Sequence, residues 1–317
     1  MSFWENKYVL ITGATGFIGV HLVNKLLAEK AKVFTLGPTR RKDIIGLKQK
    51  LGSVEDFEEV NSLIKDSNIN IIFHLAAQPI VEVGQTNPIK TFEVNIKGTW
   101  NVLEAARENS VQKVIVASTA HVYGENPKLP YKEEYFPQPS RPYETSKACA
   151  DLLAQVYADT YNLPVEIPRF VNIYGPGDYN FSRLIPKVMK DILEGRNPHI
   201  WDVGSIRDFL YIDDAIRAYM MLAEKDLPKT KRGRVINFGT GKPINIVDLV
   251  EKIVAISKNN SISVKTENTP GNRSNEIRKQ YVSIKKAKKE LNWSPETSLE
   301  EGLLKTFEWY KNHASIL

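Results

Sequence analysis

The sequence predicts an α/β protein: a doubly wound parallel sheet of Rossmann type with a smaller C-terminal lobe. Three observations carry that expectation. Apolar strand-like runs alternate with helix-like segments through the first half of the 317 residues. A glycine-rich turn, Thr12-Gly-Ala-Thr-Gly-Phe-Ile-Gly19, joins the first such strand to the first helix. Beyond Phe170 the alternation yields to proline and glycine punctuation at Gly175-Pro-Gly177, Pro186, Pro198 and Gly204. Alternation of the first kind implies right-handed βαβ units and a parallel sheet.

Each element has its own reason. Residues 7–12 are a continuous apolar run, as expected of a strand buried on both faces. Helical spacing follows over 17–28, a second strand over 32–36, a short amphipathic helix over 57–65 and a buried strand over 69–77. Residues 91–108 are expected as one helix, with Phe92, Asn95, Thr99, Val102 and Ala106 sharing a face. Strands at 114–118 and 165–170 flank a long helix over 143–161. The expected division is a dinucleotide-binding domain over 1–168, with a returning segment around 207–238, and a substrate lobe made of 169–206 and 239–317.

Strand, Gly13-x-x-Gly16-x-x-Gly19, then helix is the context of a dinucleotide loop. Glycines there permit a tight turn and let backbone amides approach a pyrophosphate at the helix N-terminus. Gly13, Thr15, Gly16, Phe17, Ile18 and Gly19 are therefore candidate cofactor contacts. The second strand should end in an acidic residue for the ribose of NAD, but Gly37-Pro38-Thr39 stands there, followed by Arg40 and Arg41. An arginine suits the 2′-phosphate of NADP. A solvated basic turn is an equally good reading, so these residues leave NAD and NADP both open.

Tyr143 and Lys147 lie four apart, one turn along the same helix face. A free phenol, with a pKa of about 10, is a poor base at neutral pH. A neighbouring ammonium favours the phenolate, which can take a hydroxyl proton as hydride leaves the carbon. Ser118-Thr119 ends a strand about 25 residues upstream, and Thr119 can hydrogen-bond the same oxygen. Together these groups describe hydride chemistry at a carbinol carbon.

Bulk properties permit this without demanding it. The formal charge is +6, yet lysine pairs such as Lys285-Lys286 and Lys288-Lys289 lack interleaved aromatics, which disfavours nucleic-acid binding. Cys149 is the only cysteine, which rules out an intrachain disulfide or a cysteine cluster for zinc and fits a reducing, cytoplasmic setting. No apolar run approaches the roughly 18 residues needed to span a bilayer, and a strand-like run within ten residues of the start leaves no room for a signal peptide.

With these motifs the chain resembles the extended short-chain dehydrogenase/reductases, specifically the NAD-dependent epimerase/dehydratase family acting on nucleotide sugars. Further segments carry the resemblance along nearly the whole chain: Phe73-His-Leu-Ala-Ala77, Asn95-Ile-Lys-Gly-Thr99, Ser118-Thr-Ala-His-Val-Tyr-Gly124, Arg169-Phe-Val-Asn-Ile-Tyr-Gly-Pro176, Arg207-Asp-Phe-Leu-Tyr-Ile-Asp-Asp214 and Lys289-Glu-Leu-Asn-Trp293. The resemblance implies Tyr143 as base, Lys147 on the nicotinamide ribose and Thr119 assisting. It places Leu75, Ala76, Ala77, Asn95, Ser118 and Phe170 along the cofactor, with Ser53 and Val54 near its adenine. Asn172, Arg207 and Arg273 become contacts to the sugar nucleotide, Arg183 and Leu184 line its diphosphate end, and Trp201 stacks on its base. His74 and His199 are read as structural.

Members of this family share oxidation at C4 of the sugar and diverge afterwards. The resemblance implies that a 4,6-dehydratase carries an acid and a base directly after the catalytic Ser or Thr. This chain has Ala120-His121 there. Ala120 transfers no proton, and although His121 can act as a base, nothing replaces the acid. A 4-epimerase needs neither, so the expected activity is an NAD-dependent 4-epimerase of UDP-glucose or UDP-N-acetylglucosamine type. Stretches such as Phe3-Trp4, Ala77-Gln-Pro79, Pro88-Ile-Lys-Thr91 and Ser182-Arg-Leu-Ile-Pro186 resemble CDP-glucose 4,6-dehydratases instead. Counting from Arg273 and Glu276, Gln280 takes the place of a tyrosine that restricts the epimerase pocket to unsubstituted hexoses, which favours an N-acetylated sugar. An NADP-dependent reductase and a non-catalytic dinucleotide sensor are the remaining alternatives. The helices over 91–108 and 143–161 resemble those that pair subunits into homodimers in this family.

Overall fold

Parallel strands and covering helices fill the first 170 residues. The computed structural model describes residues 2–41, 44, 46–200, 203–225, 234–266 and 277–314. Its strands are β1 (Tyr8–Thr12), β2 (Lys32–Gly37), β3 (Lys48–Leu51), β4 (Ile71–His74), β5 (Lys113–Val116), β6 (Ser118–Thr119), β7 (Val165–Phe170), β8 (Asn172–Tyr174), β9 (His199–Ile200), β10 (Ile206–Arg207), β11 (Phe209–Tyr211), β12 (Arg234–Phe238), β13 (Ile244–Asn245), β14 (Lys265–Thr266) and β15 (Lys279–Gln280). The helices are α1 (Phe17–Ala28), α2 (Phe57–Asp66), α3 (Val81–Thr86), α4 (Pro88–Phe92), α5 (Gly98–Glu108), α6 (Pro142–Tyr161), α7 (Leu184–Leu193), α8 (Ile212–Glu224), α9 (Ile246–Ser257), α10 (Lys285–Leu291) and α11 (Leu299–Asn312).

The main sheet runs β3-β2-β1-β4-β5-β7-β12 with every pair parallel, and β6 continues beside β7. Because strand side chains alternate, Val9, Ile11, Ile71, Phe73 and Ile115 enter one core with Leu22, Leu26 and Tyr219 of α1 and α8. Leu10, Ile72, Val114 and Val116 enter the other, with Leu63 of α2, Val102 of α5 and Ala154 of α6. The strand order reverses between β1 and β4, which opens a crevice at their carboxyl ends.

One local expectation needs correction, and one strand was not expected. The helix expected over 91–108 is broken: α4 ends at Phe92, a π-helical turn spans Glu93–Lys97, and α5 starts at Gly98. The wide turn aims the buried Asn95 carboxamide at Gln78, accepting from its N–H (2.7 Å) and donating to its C=O (3.1 Å). A 3.6-residue pattern cannot register such an inserted turn. β3 carries no apolar alternation; its Lys48-Gln-Lys-Leu51 sits on the sheet edge and exists through its pairing with β2.

The punctuated region also holds more order than its prolines suggest. Pro186 falls in the first turn of α7, where a helix needs no amide hydrogen, and Ile185, Val188, Met189 and Ile192 give that helix a buried face. The lobe's sheets are small: β13-β10-β15, the parallel pair β8–β11, and the pair β9–β14. Among the described residues no helix is long and apolar enough to cross a membrane.

Candidate active site

β1 delivers Thr12 to the crevice and turns sharply at Gly13, whose φ is +72°. A Cβ at Gly13 would lie 2.7 Å from Ala76 N, and one at Gly19 would strike the Gly13 carbonyl. The turn therefore closes against the loop after β4 in a way only glycine permits. Thr12 ties the two together: its carbonyl accepts from Leu75 N–H (3.1 Å) and its hydroxyl from Ala76 N–H (3.2 Å). α1 begins behind Gly16 with no side-chain cap and no acidic residue in its first turn. Amides and the positive dipole end thus present an anion site that Thr15, Phe17 and Ile18 surround, and a dinucleotide's pyrophosphate fits it. Ser53 and Val54 follow β3 at the carboxyl edge, where the Ser53 N–H donates to Glu59 (2.7 Å) and the Val54 carbonyl accepts from Asn101 (2.9 Å).

His74 bridges Thr12 (2.8 Å) and Thr99 (3.0 Å) inside the core. Burial, helped by the charge of Lys147, lowers it to about 3, so it is a neutral brace. Asn95, expected along the cofactor, is buried, and its carboxamide is engaged by Gln78 and by Ser146 Oγ (2.8 Å). Its observed work is to clamp the loop holding Ala77 onto α6.

Tyr143, Lys147 and Asp151 stand at successive turns of α6, and Lys147 and Asp151 meet residues 117 and 118. The Lys147 ammonium donates to the Ala117 carbonyl. Ser118 Oγ donates to Asp151 (2.6 Å), which also receives Arg169 in a two-pronged pair at 2.8 and 2.9 Å. Thr119 Oγ1 accepts from the His121 N–H (3.3 Å) and donates to the Phe170 carbonyl (3.5 Å), while the Phe170 ring is packed between Tyr219 and Phe238. Burial lowers Lys147 to about 8, opposed by Asp151. At Tyr143 burial raises the phenol above its ordinary value, and the opposing charge is that of Arg183. The sequence expectation assigned that opposition to Lys147, but its ammonium is turned onto Ala117.

Beside the phenol lies a second titratable pair. Glu144 is completely buried, with Oε1 3.7 Å from both His121 Nδ1 and an Arg141 nitrogen. The His121 ring meets the Tyr143 ring edge-on at 6.3 Å. Burial would raise Glu144, but His121 and Arg141 together hold it below the ordinary carboxylate value.

At the lobe end, the Asn172 carboxamide donates to the Asp208 carbonyl (3.3 Å). Arg183 pairs with Asp178 (2.9 Å) immediately before Leu184 opens α7. Arg207 and Gln280 are direct neighbours on the parallel strands β10 and β15, and the Arg207 guanidinium donates to the Arg278 carbonyl (2.9 Å). Gln280 is buried, and neither atom of its carboxamide has a hydrogen-bond partner. Trp201, Arg273 and Glu276 lie outside the described residues.

Sheet order, glycine turn and a helix-borne phenol–ammonium pair define the short-chain dehydrogenase/reductase class. The chain belongs to the GDP-mannose 4,6 dehydratase family of extended short-chain dehydrogenase/reductases, whose model matches residues 10–306. It is 30% identical over 324 residues to the dTDP-D-glucose 4,6-dehydratase of Homo sapiens, covering 97% of this chain and 91% of the relative. Among solved structures it is similar to the UDP-glucose 4-epimerase of Thermotoga maritima determined with UDP-glucose, with a TM-score of 0.89 and 29% identity over 97% of this chain and 99% of the other. The UDP-glucose 4-epimerase of Thermus thermophilus in complex with NAD follows at a TM-score of 0.86 and 28% identity, over 96% and 99%. The relatives are nucleotide-sugar enzymes of both reaction types, epimerases and dehydratases.

Sequence reasoning missed Asp151, Arg169 and Glu144. Asp151 stands one turn beyond Lys147, so its spacing was a usable signal. Glu144 had none, because His121 meets it only through the fold.

Proposed function

We propose that the protein is an NAD-dependent nucleotide-sugar 4-epimerase that passes through a transient 4-keto sugar. Its substrates are UDP-glucose and UDP-galactose or the corresponding N-acetylhexosamines. Ala120 carries this reading: fully buried and directly after Thr119, it supplies no acid to expel a 6-hydroxyl. NAD, when bound in the crevice, accepts and returns the hydride at C4. The NAD complex of the Thermus relative supports NAD over NADP.

Each residue then has a task. Gly13, Gly16 and Gly19 hold the pyrophosphate, with Thr15, Phe17 and Ile18 around it and Ser53 and Val54 toward the adenine. Lys147, fixed by Ala117, faces the nicotinamide ribose. Tyr143 takes the proton from O4 as hydride leaves and gives it back as hydride returns, with Thr119 bonding the same oxygen. Arg183 favours the phenolate. Arg207 and Arg273 bind the diphosphate, Asn172 and Leu184 line its path, Trp201 covers the base, and Gln280 with Glu276 shapes the sugar end. Trp100 on α5 and Leu152 and Val156 on α6 are exposed, which supports a homodimer through these two helices.

The names of the family model and of the human relative favour a second reading, a 4,6-dehydratase, and the His121–Glu144 pair adds weight to it. Incubation with UDP-glucose, UDP-N-acetylglucosamine and CDP-glucose, read by NMR, separates the two. The expected product is a C4 epimer that keeps its 6-hydroxyl. A 4-keto-6-deoxy sugar would establish the dehydratase instead.

A further inference from the structure

The cofactor helix and the substrate lobe touch at a contact that the C4 chemistry does not employ. α1 carries the amides that face a pyrophosphate, and on one face of its first turns Phe17 and His21 stand four apart, their rings meeting edge-on at 5.6 Å. His21 Nε2 lies 2.8 Å from the carbonyl oxygen of Pro176, 155 residues along the chain. A carbonyl can only accept, so the imidazole keeps its proton on Nε2 and donates. The bond thus reaches from the cofactor helix into Gly175-Pro-Gly177, the turn that leads out of β8 toward Arg183.

On the lobe side the turn is tightly held. Gly177 has a φ of +82°, and a Cβ on Gly175 would strike the Ile212 side chain of α8. Asp178, next in the chain and buried, accepts from the Asn180 N–H (3.1 Å) and pairs with Arg183 (2.9 Å), and its carbonyl accepts from the Tyr310 hydroxyl of α11. A displacement of Pro176 is therefore carried to Arg183, whose charge reaches the Tyr143 phenol. The His21 side is freer. Its ring is half-buried and borders a cavity of about 610 Å³ between α1 and α8, lined also by Lys25, Arg217 and Met220. The imidazole has room to leave the carbonyl, so the contact has a closed and an open arrangement.

We infer that His21 is a positioning residue that couples the two halves of the crevice. A dinucleotide seated on α1 and a nucleoside diphosphate seated in the lobe each favour the closed His21–Pro176 contact, and each therefore tightens the other. This rests on the reading that NAD and a nucleotide sugar fill the crevice together. Coupling of this kind is reciprocal, and between two sites it typically amounts to about 5–150-fold in affinity.

The test uses the holoenzyme and UDP, and follows the rate at which bound NAD exchanges with isotopically labelled NAD. Saturating UDP should slow that exchange about tenfold in wild type. The slowing should vanish in His21→Asn, whose amide stops short of the carbonyl, and in His21→Leu, which has no donor. His21→Gln places an amide nitrogen close to where Nε2 stands and should recover most of the effect. A merely structural histidine would leave Asn and Gln variants alike. Equal slowing by UDP in wild type and His21→Asn would overturn the inference, as would a Gln variant no better than the Asn one. Wild type that binds UDP by calorimetry without any change in exchange would overturn it too. In each of these cases a C4 epimer formed from the UDP-hexose leaves the functional reading standing. Failure to bind UDP, with no change at C4 in any sugar, would overturn both.

Discussion

The two ends of the crevice are built by opposite means. The chemical end hangs on one contiguous scaffold: β1, β4 and β6 deliver Gly13, Ala76 and Thr119 from a buried parallel sheet, and successive turns of α6 carry Tyr143 and set Lys147 and Asp151 against residues 117 and 118. The lobe end is assembled from two-residue strands drawn from distant parts of the chain, β10, β13 and β15, around a Gln280 whose amide is unpaired. A rigid sheet holds the chemical end in place, while short strands can exchange one side chain without disturbing it. Substitutions at the two ends should therefore fail differently.

Tyr143→Phe is expected to have the largest effect, a fall of roughly a thousandfold in C4 turnover with the thermal unfolding curve nearly superimposed on wild type. A loss below about tenfold would mean that the phenol is not the proton carrier. Asp151→Ala strands Arg169 and Ser118 in the core and should lower stability to chemical denaturation by about 3–5 kcal/mol. If the scaffold end is as interlocked as its hydrogen bonds indicate, turnover falls with it.

Lys147 sharpens the comparison through pH. Folding lowers it from 10.5 to about 8, so between those values the unfolded chain binds more protons and stability rises with pH. Relative to Lys147→Met, wild type should gain about 3 kcal/mol as pH goes from 8 to 10.5. A flat difference would show that the ammonium is not buried. Gln280→Tyr should produce the smallest effect on turnover, about a tenfold shift in kcat/KM from an N-acetylated toward an unsubstituted hexose.

The same contrast governs what was legible in the sequence. The glycine turn and the Tyr143–Lys147 pair are local patterns, readable because one turn or one helix face brings them together. The π turn at Glu93–Lys97 was not, since its cause is a hydrogen bond from Asn95 to a loop some 17 residues away. Arg183 beside Tyr143 and Glu144 behind His121 depend on tertiary packing, and no spacing announces either. Helices α7, α9 and α11 were obscured by the proline and glycine near their boundaries.

Whether one hydride leaves and returns at the same carbon is tested most directly with a nucleotide hexose deuterated at C4, incubated with the enzyme in ordinary water. The epimerised product should retain its deuterium at C4, now on the opposite face. Loss of that label to the medium, or a product in which C4 is not inverted, would contradict a Tyr143-based 4-epimerase.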